Sequence, residues 1–457
     1  MWTSLFVSGL LATAQTPLEK LAIPVAPVSV VQAPAAPKSA APMAPMTPGQ
    51  QPMAEEKKEE EEKEEEAQKF LLMRLLDGRT GGEFLDKSGI TIKGYADMNY
   101  TASTAKGSNL PMAMNYKANQ FLLEQNSIII EKAVDTNAKE MTWGFTVMGI
   151  LPGSDYQFTM QTNLMDSQLT DNNGQPNTYG VDAPQFFVET YNPNFAKGLD
   201  TKVGRFYTIL FNESIDPTQN KLVSRALTFM NNPFTHTGVL TATKLDDRWT
   251  FYNGLTCGAD VFFGPSGKAS YLGGLTWTSE DDGTNFSFYT QLTDPSFNSS
   301  QGTADTFDVF EILFNHKIND KWSFTSDTMY SFINNYNSAV AKIPLISTIV
   351  NGNQPPTNYQ GWANWYGFVN YLTYNITDKL STTSRVEFFT DTEGVRTGYT
   401  GLYTSLTQGI TYKMYEEQLW VRPEFRYDNN STSKAYNNDG TPSNGLFTFA
   451  IDVILRY

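Results

Sequence analysis

Three features of the sequence predict an all-β chain: a transmembrane, antiparallel, up-and-down β-barrel of about sixteen strands, preceded by a disordered tether and a short helix. Apolar and polar residues alternate with a period of two through much of the C-terminal four-fifths. The connections between the predicted strands alternate between tight and long. The composition joins few charges to many aromatics: charged residues are 18% and aromatics 13%, while the mean hydropathy of -0.37 stays hydrophilic. A barrel reconciles these, because only one face of each strand has to be apolar.

Residues 1–14, MWTSLFVSGLLATA, read as a secretory signal peptide, with an apolar core from Leu5 to Leu11 and small residues before Gln15. Residues 15–54 are rich in Pro and Ala, favour extended polyproline II and cannot bury a core. Residues 55–80 combine an acidic run, EEKKEEEEKEEE, with an apolar segment, AQKFLLMRLLDG. The run is a solvated tether or the start of a short coiled coil or periplasmic contact. Phe70, Leu71, Leu72, Met73, Leu75 and Leu76 cover most of the circumference of a helix, so that helix needs a burial site. The barrel mouth, a partner copy and the membrane surface are the candidates.

Residues 81–457 form the barrel. Its strands begin near Ile90, Phe121, Thr142, Gln185, Thr201, Thr235, Trp249, Ser270, Asn285, Thr306, Trp322, Tyr366, Leu380, Tyr403, Leu419 and Leu446. The last strand puts Phe447, Phe449, Ile451, Val453, Leu455 and Tyr457 on one face, with Thr448, Ala450, Asp452 and Arg456 on the other. The strand before it alternates Val421, Phe425 and Tyr427 with Arg422, Glu424, Arg426 and Asp428. Connections after even-numbered strands are tight, as in KLDDR, EDDG and KINDK. Those after odd-numbered strands are mostly long, notably residues 151–184, 210–234 and 333–361. Short turns at one end and long loops at the other are the construction of membrane barrels. An even strand count places both termini at the short-turn, periplasmic end.

The segments GRFYTIL, NPFTHTGV, YGFVNYLTYNITDKL, RVEFFTDTEGVRTG and VRPEFRYD, with the terminal FTFAIDVILRY, resemble the OmpL-like β-barrel porin-2 family. The resemblance runs over residues 81–457. It implies an outer-membrane barrel passing small hydrophilic solutes and supplies no catalytic or binding residue. In barrels of this class the C-terminal strand, here ending at Tyr457, is also read by the assembly machinery.

A lumen wall is expected from Lys93, Asp97, Arg205, Arg385, Glu387, Asp391, Arg422, Glu424, Arg426, Asp428, Asp452 and Arg456. The facing of Arg205 is open, since Val203, Arg205 and Tyr207 share a side. Glu213, Asp216, Lys221 and Arg225 lie in a long connection that constricts the pore if it folds inward. Residues 151–184, with Asp155, Asp166, Asp171 and Asp182, are the rival. Trp322, Trp362, Trp365, Tyr366 and Trp420 suit aromatic girdles.

Other chemistry has little to work with. Acidic residues outnumber basic ones 48 to 33, a formal charge of -15 that argues against nucleic acid. One cysteine, Cys257, allows no internal disulfide or zinc-cysteine cluster. His236 and His316 stand in no catalytic spacing, and Asp246-Asp247 and Asp281-Asp282 read as turn residues. No cofactor, metal or catalytic residue is expected. The expected function is a water-filled outer-membrane channel for passive diffusion. Its partners are lipid, small hydrophilic solutes and a homo-oligomer. The alternative is a plugged barrel that anchors envelope layers through its tether.

Overall fold

The structure, a computed structural model, describes residues 70–159, 164–173, 176–263, 269–293, 306–337 and 359–457. The expected signal peptide, Pro/Ala-rich linker and acidic run lie outside the described residues. Two helices come first, α1 (Leu71–Leu76) and α2 (Thr80–Ser88). The strands follow: β1 (Thr91–Ser103), β2 (Phe121–Lys132), β3 (Thr142–Gly153), β4 (Gly180–Asn192), β5 (Leu199–Tyr207) and β6 (Thr235–Lys244). Next are β7 (Trp249–Thr256), β8 (Ser270–Thr278), β9 (Thr284–Leu292), β10 (Thr306–Lys317), β11 (Trp322–Asn337) and β12 (Gln360–Thr377). The series ends with β13 (Leu380–Asp391), β14 (Gly401–Met414), β15 (Leu419–Asn430), β16 (Tyr436–Asn438), β17 (Thr441–Ser443) and β18 (Gly445–Arg456).

Sixteen of the described strands close into one antiparallel barrel in sequence order, with β18 lying between β15 and β1. β16 and β17 make a small hairpin inside the last long connection. The expected strand number holds. β4 and β12 begin ahead of the expected Gln185 and Tyr366, because Pro184 and Gly361 interrupt the alternation that marks the rest of each strand.

The parity of the connections also holds. Residues 245–248, 318–321, 378–379 and 415–418 turn tightly at one end, whereas 104–120, 208–234 and 431–444 run long at the other. Two tight turns share a mechanism. Asp246 accepts the N–H groups of Arg248 and Trp249 at 2.8 and 2.9 Å, and Asn319 accepts those of Lys321 and Trp322 at 2.9 and 3.0 Å. Those bonds hold the Asp246 carboxyl below the usual carboxylate range.

Side chains alternate as the pattern required. On β18, Phe447 and Leu455 are exposed while Thr448, Asp452 and Ile454 are buried. On β13, Phe388 is exposed between buried Glu387 and Phe389. Outward tryptophans gather near the short-turn end: Trp143, Trp249 and Trp322 each stand at or beside the first residue of a strand, and Trp322 meets Tyr374 at 4.5 Å between ring centroids. Trp365 and Trp420 are buried and face inward, so they are not girdle residues. The reason is the pleat: Trp365 and Tyr366 are neighbours in β12, so only one of them can face lipid.

At the short-turn end α1 reaches the barrel mouth. Met73 is buried against β1 and accepts the Ile92 N–H on sulfur at 3.3 Å. The Phe70 ring lies near the Lys93 ammonium and the Arg456 guanidinium, at 5.3 and 5.8 Å. α2, which the sequence pattern did not indicate, stops at Gly89, whose positive φ of 65° lets its N–H reach the carbonyls of Asp86 and Leu85.

Closure joins β1 to β18, and the C-terminal residue completes it. Tyr457 exchanges backbone hydrogen bonds with Gly94 at 2.7 and 2.9 Å, and its hydroxyl donates to Asn126 Oδ1 at 2.8 Å. A Cβ at residue 94 would overlap both the Ser127 carbonyl and the Tyr457 ring. In hydrocarbon an unpaired edge is not tolerated, so this seam is a condition of insertion. Gly94→Val is therefore expected to reduce the heat-modifiable, folded band on electrophoresis to a minor fraction. Tyr457→Phe, which loses one hydroxyl bond worth about 1 kcal/mol, leaves most of that band in place.

Candidate functional site

Irregular backbone inside a membrane barrel brings N–H and C=O groups into a place with few water partners, and each must be satisfied by protein. Residues 208–234, between β5 and β6, are such a segment. They hold only a 3₁₀ turn (Pro217–Gln219) and the one-turn helix α3 (Leu227–Met230), and most of their side chains are buried. Asp216 caps the 3₁₀ turn, accepting the N–H and hydroxyl of Thr218 at 2.8 and 2.7 Å. Asn220 closes the tip by donating to the carbonyls of Ser214 and Asp216 and accepting the Ser214 N–H.

The partners of this backbone are charged side chains on the inner wall. Glu387 accepts the N–H groups of Leu227 and Thr228 at 2.9 and 2.7 Å. Glu424 accepts those of Val223 and Ser224 at 2.8 and 3.1 Å. Glu311 and Asp327 accept those of Phe211 and Asn212 at 2.7 and 3.2 Å. The arginines take the carbonyls. Arg385 donates to Ser224 at 2.7 Å, Arg426 to Arg225 at 2.6 Å, and Arg422 to Pro217 and Asn220 at 2.9 and 2.7 Å. Glu213 on the segment pairs with Arg385 at 2.6 Å. Two strand glycines make room: a Cβ at Gly367 would overlap Thr228, and one at Gly409 would meet the Leu222 side chain. The segment thus lies inside the barrel on β10–β15, with its tip near Thr411, close to the short-turn end of β14.

The rival segment also turns inward. Asp155 is buried and accepts from Gln125 Nε2 at 2.9 Å, and Gln125 donates as well to the Ile215 carbonyl at 2.9 Å, linking the two segments. Arg205 is fully buried, pairing with Asp182 at 2.8 Å and donating to the carbonyls of Ala183 and Thr159. Val203 is 51% exposed although it lies two residues from Arg205. Gly204 between them, at a φ of 139°, breaks the alternation that left the facing of Arg205 open. Asp171 is exposed and accepts the Asn173 N–H at 2.8 Å within its own turn.

The remaining wall candidates fall into two groups. Asp97, Asp391, Asp428 and Asp452 are buried: Asp452 pairs with Arg422, Asp428 pairs with Arg426 at 2.7 Å, and Asp391 ties down residues 395–397 by accepting their N–H groups. Lys93 and Arg456 are half-exposed at the short-turn mouth, Lys93 bonded to Glu131 at 2.6 Å and Arg456 to the Glu417 carbonyl at 3.2 Å. On the segment itself Arg225 is buried and donates to the carbonyls of Ser214 and Val223 at 3.0 and 2.8 Å, while Lys221 is exposed. The histidines serve the scaffold. His236 is buried between the Gly258 carbonyl and Thr208, and His316 bonds Thr284.

Sequence reasoning did not single out Glu311, Asp327, Gln125 or the two glycines. One signal was present: Glu311 is the lone charge on an otherwise apolar inward row, Phe307, Val309 and Leu313. A solitary carboxylate there has to be partnered, and the Phe211 N–H is that partner. Glu124 was hidden by a register shift opposite Asp97 and Met98, which turns both Glu124 and Gln125 inward.

Removing an anchor leaves buried N–H groups unpaired. Glu387→Ala is expected to cost about 2–5 kcal/mol of folded stability, read as a lower melting temperature in detergent. Gly367→Val keeps every charge but pushes Thr228 off the wall, so a similar loss of thermal stability is expected from the steric change alone.

No curated protein matches this sequence. Among solved structures, the anion-selective porin from Comamonas acidovorans matches with a TM-score of 0.50 at 8% identity, over 80% of this chain and 99% of that one. The outer membrane channel DcaP of Acinetobacter baumannii matches with a TM-score of 0.52 at 11% identity, over 80% and 97%. At such identities these neighbours share the fold with this chain. The model of the family described as "Putative beta-barrel porin-2, OmpL-like" matches residues 89–457. The chain belongs to that family of outer-membrane β-barrel porins.

Proposed function

We propose that small hydrophilic solutes diffuse passively through the water left beside the inserted segment, between it and the wall of β7–β9. The carrying observation is asymmetry. The segment's hydrogen bonds go to β2, β6, β10, β11, β13, β14 and β15 and to Asp260 in the β7–β8 connection, and none of those described reaches strands β7, β8 or β9 themselves. On that side Tyr252 is half-buried, while Thr276, Ser287 and Tyr289, with Thr276 bonded to the other two hydroxyls at 2.9 Å each, are polar but buried. Towards the short-turn mouth Glu189, Lys202, Asn285, Asn315 and Thr325 are only half-buried. Pore radius and wall charge then choose among solutes, with no catalytic step.

The short turns and both termini lie in the periplasm on this reading, and the long connections face the exterior. Lipid covers the outward apolar band, the β18 strand ending at Tyr457 engages the assembly machinery, and copies associate in the membrane.

A second reading, a sealed anchoring barrel, draws on the burial of nearly every wall charge under the segment. Planar bilayers separate the two. Discrete conductance steps from the purified, folded protein are expected, with larger steps after deletion of residues 213–226. Silent insertion of a protein that keeps its heat-modifiable band would instead favour the sealed barrel.

A further inference from the structure

Ion preference depends on which charges a passing solute meets, and here most of the wall charges cancel. Arg205–Asp182, Arg385–Glu213, Arg422–Asp452 and Arg426–Asp428 are all buried pairs. The half-exposed cations near the mouth also have partners: Lys93 with Glu131, Lys202 with Glu189 at 3.3 Å, and Lys413 with Glu417 at 3.1 Å. Three inward wall carboxylates without a basic partner, Glu311, Asp327 and Glu124, are at most 3% exposed, and Asp216 on the segment is 8% exposed, so a solute in the water scarcely touches them.

Lys221 differs on each count. Its side chain is exposed, and among the described residues its ammonium makes no hydrogen bond or ion pair. Its base is nonetheless fixed. The carbonyl of Asn220 is held by Arg422, its own carbonyl accepts from Thr411 at 2.9 Å, and the Val223 N–H is held by Glu424. The adjacent Leu222 seats on Gly409.

We propose that Lys221 is the selectivity-determining residue of this porin and makes the passage prefer small anions. The inference rests on the diffusion-channel reading. A free ammonium clamped at the deep tip of the inserted segment attracts anions within roughly a Debye length, about 10 Å at 0.1 M salt, and repels cations over the same range.

The test is the reversal potential of the full chain in planar bilayers under a potassium chloride gradient. Wild type is expected to favour chloride. Lys221→Glu should lower the chloride-to-potassium permeability ratio by roughly threefold or more. Lys221→Gln should fall between them, Lys221→Arg should keep the wild-type ratio, and Lys139→Glu, the same charge change on an exposed short turn, should leave it unmoved. A wild-type channel that favours potassium would overturn the proposal. So would a folded, conducting Lys221→Glu channel with an unchanged reversal potential, which leaves the channel reading intact. A folded wild type that gives no steps would remove both.

Discussion

Everything inside this barrel depends on one constraint: an irregular stretch of backbone has entered the lumen, and its N–H and C=O groups must be met there. The wall meets them with ions. Glu387 and Glu424 each take a pair of successive N–H groups, and Arg385, Arg422 and Arg426 take carbonyls between them. Charge-assisted bonds of this kind are stronger than neutral ones and are fixed in direction. The three arginines also carry countercharges, in Glu213, Asp452 and Asp428, so their part of the network is close to neutral where it is dry. Gly367 and Gly409 complete the fit by letting the segment lie directly on the sheet.

That arrangement gives the wall charges a different meaning from the one an empty barrel would give them. In an open tube, a row such as Arg422, Glu424, Arg426 and Asp428 would be the lining that solutes touch. Here the row is an anchor for residues 217–225, and a solute meets what the segment shows on its other side. Selectivity therefore passes from the strands to the inserted segment, where a lysine held at both flanks stands towards water.

Much of this was legible in the sequence, and the parts that were not have physical causes. Alternation and connection parity gave the strands and the inward faces of β13, β15 and β18, because a period of two is fixed by the pleat. The segment 208–234 could be marked as long and charged, yet its direction could not be read: an outward loop and an inward one have the same composition. The facing of Arg205 stayed open and Glu124 escaped notice because a positive φ at Gly204 and a register shift beside Asp97 break the period locally. Trp365 shows the limit of composition alone, since an aromatic suits a girdle and a lumen equally and only parity with Tyr366 separates them.

The claim on which the rest stands is that the segment lies against the inner face of β14. A cysteine pair at Leu222 and Gly409, in a Cys257→Ser background, tests it directly, because a disulfide forms only when the two Cβ atoms come within about 3.5–4.5 Å. Oxidation of the folded protein in membranes should give the linked pair of peptides, detected by mass spectrometry and lost on reduction. A folded barrel that yields no such linkage would contradict the account.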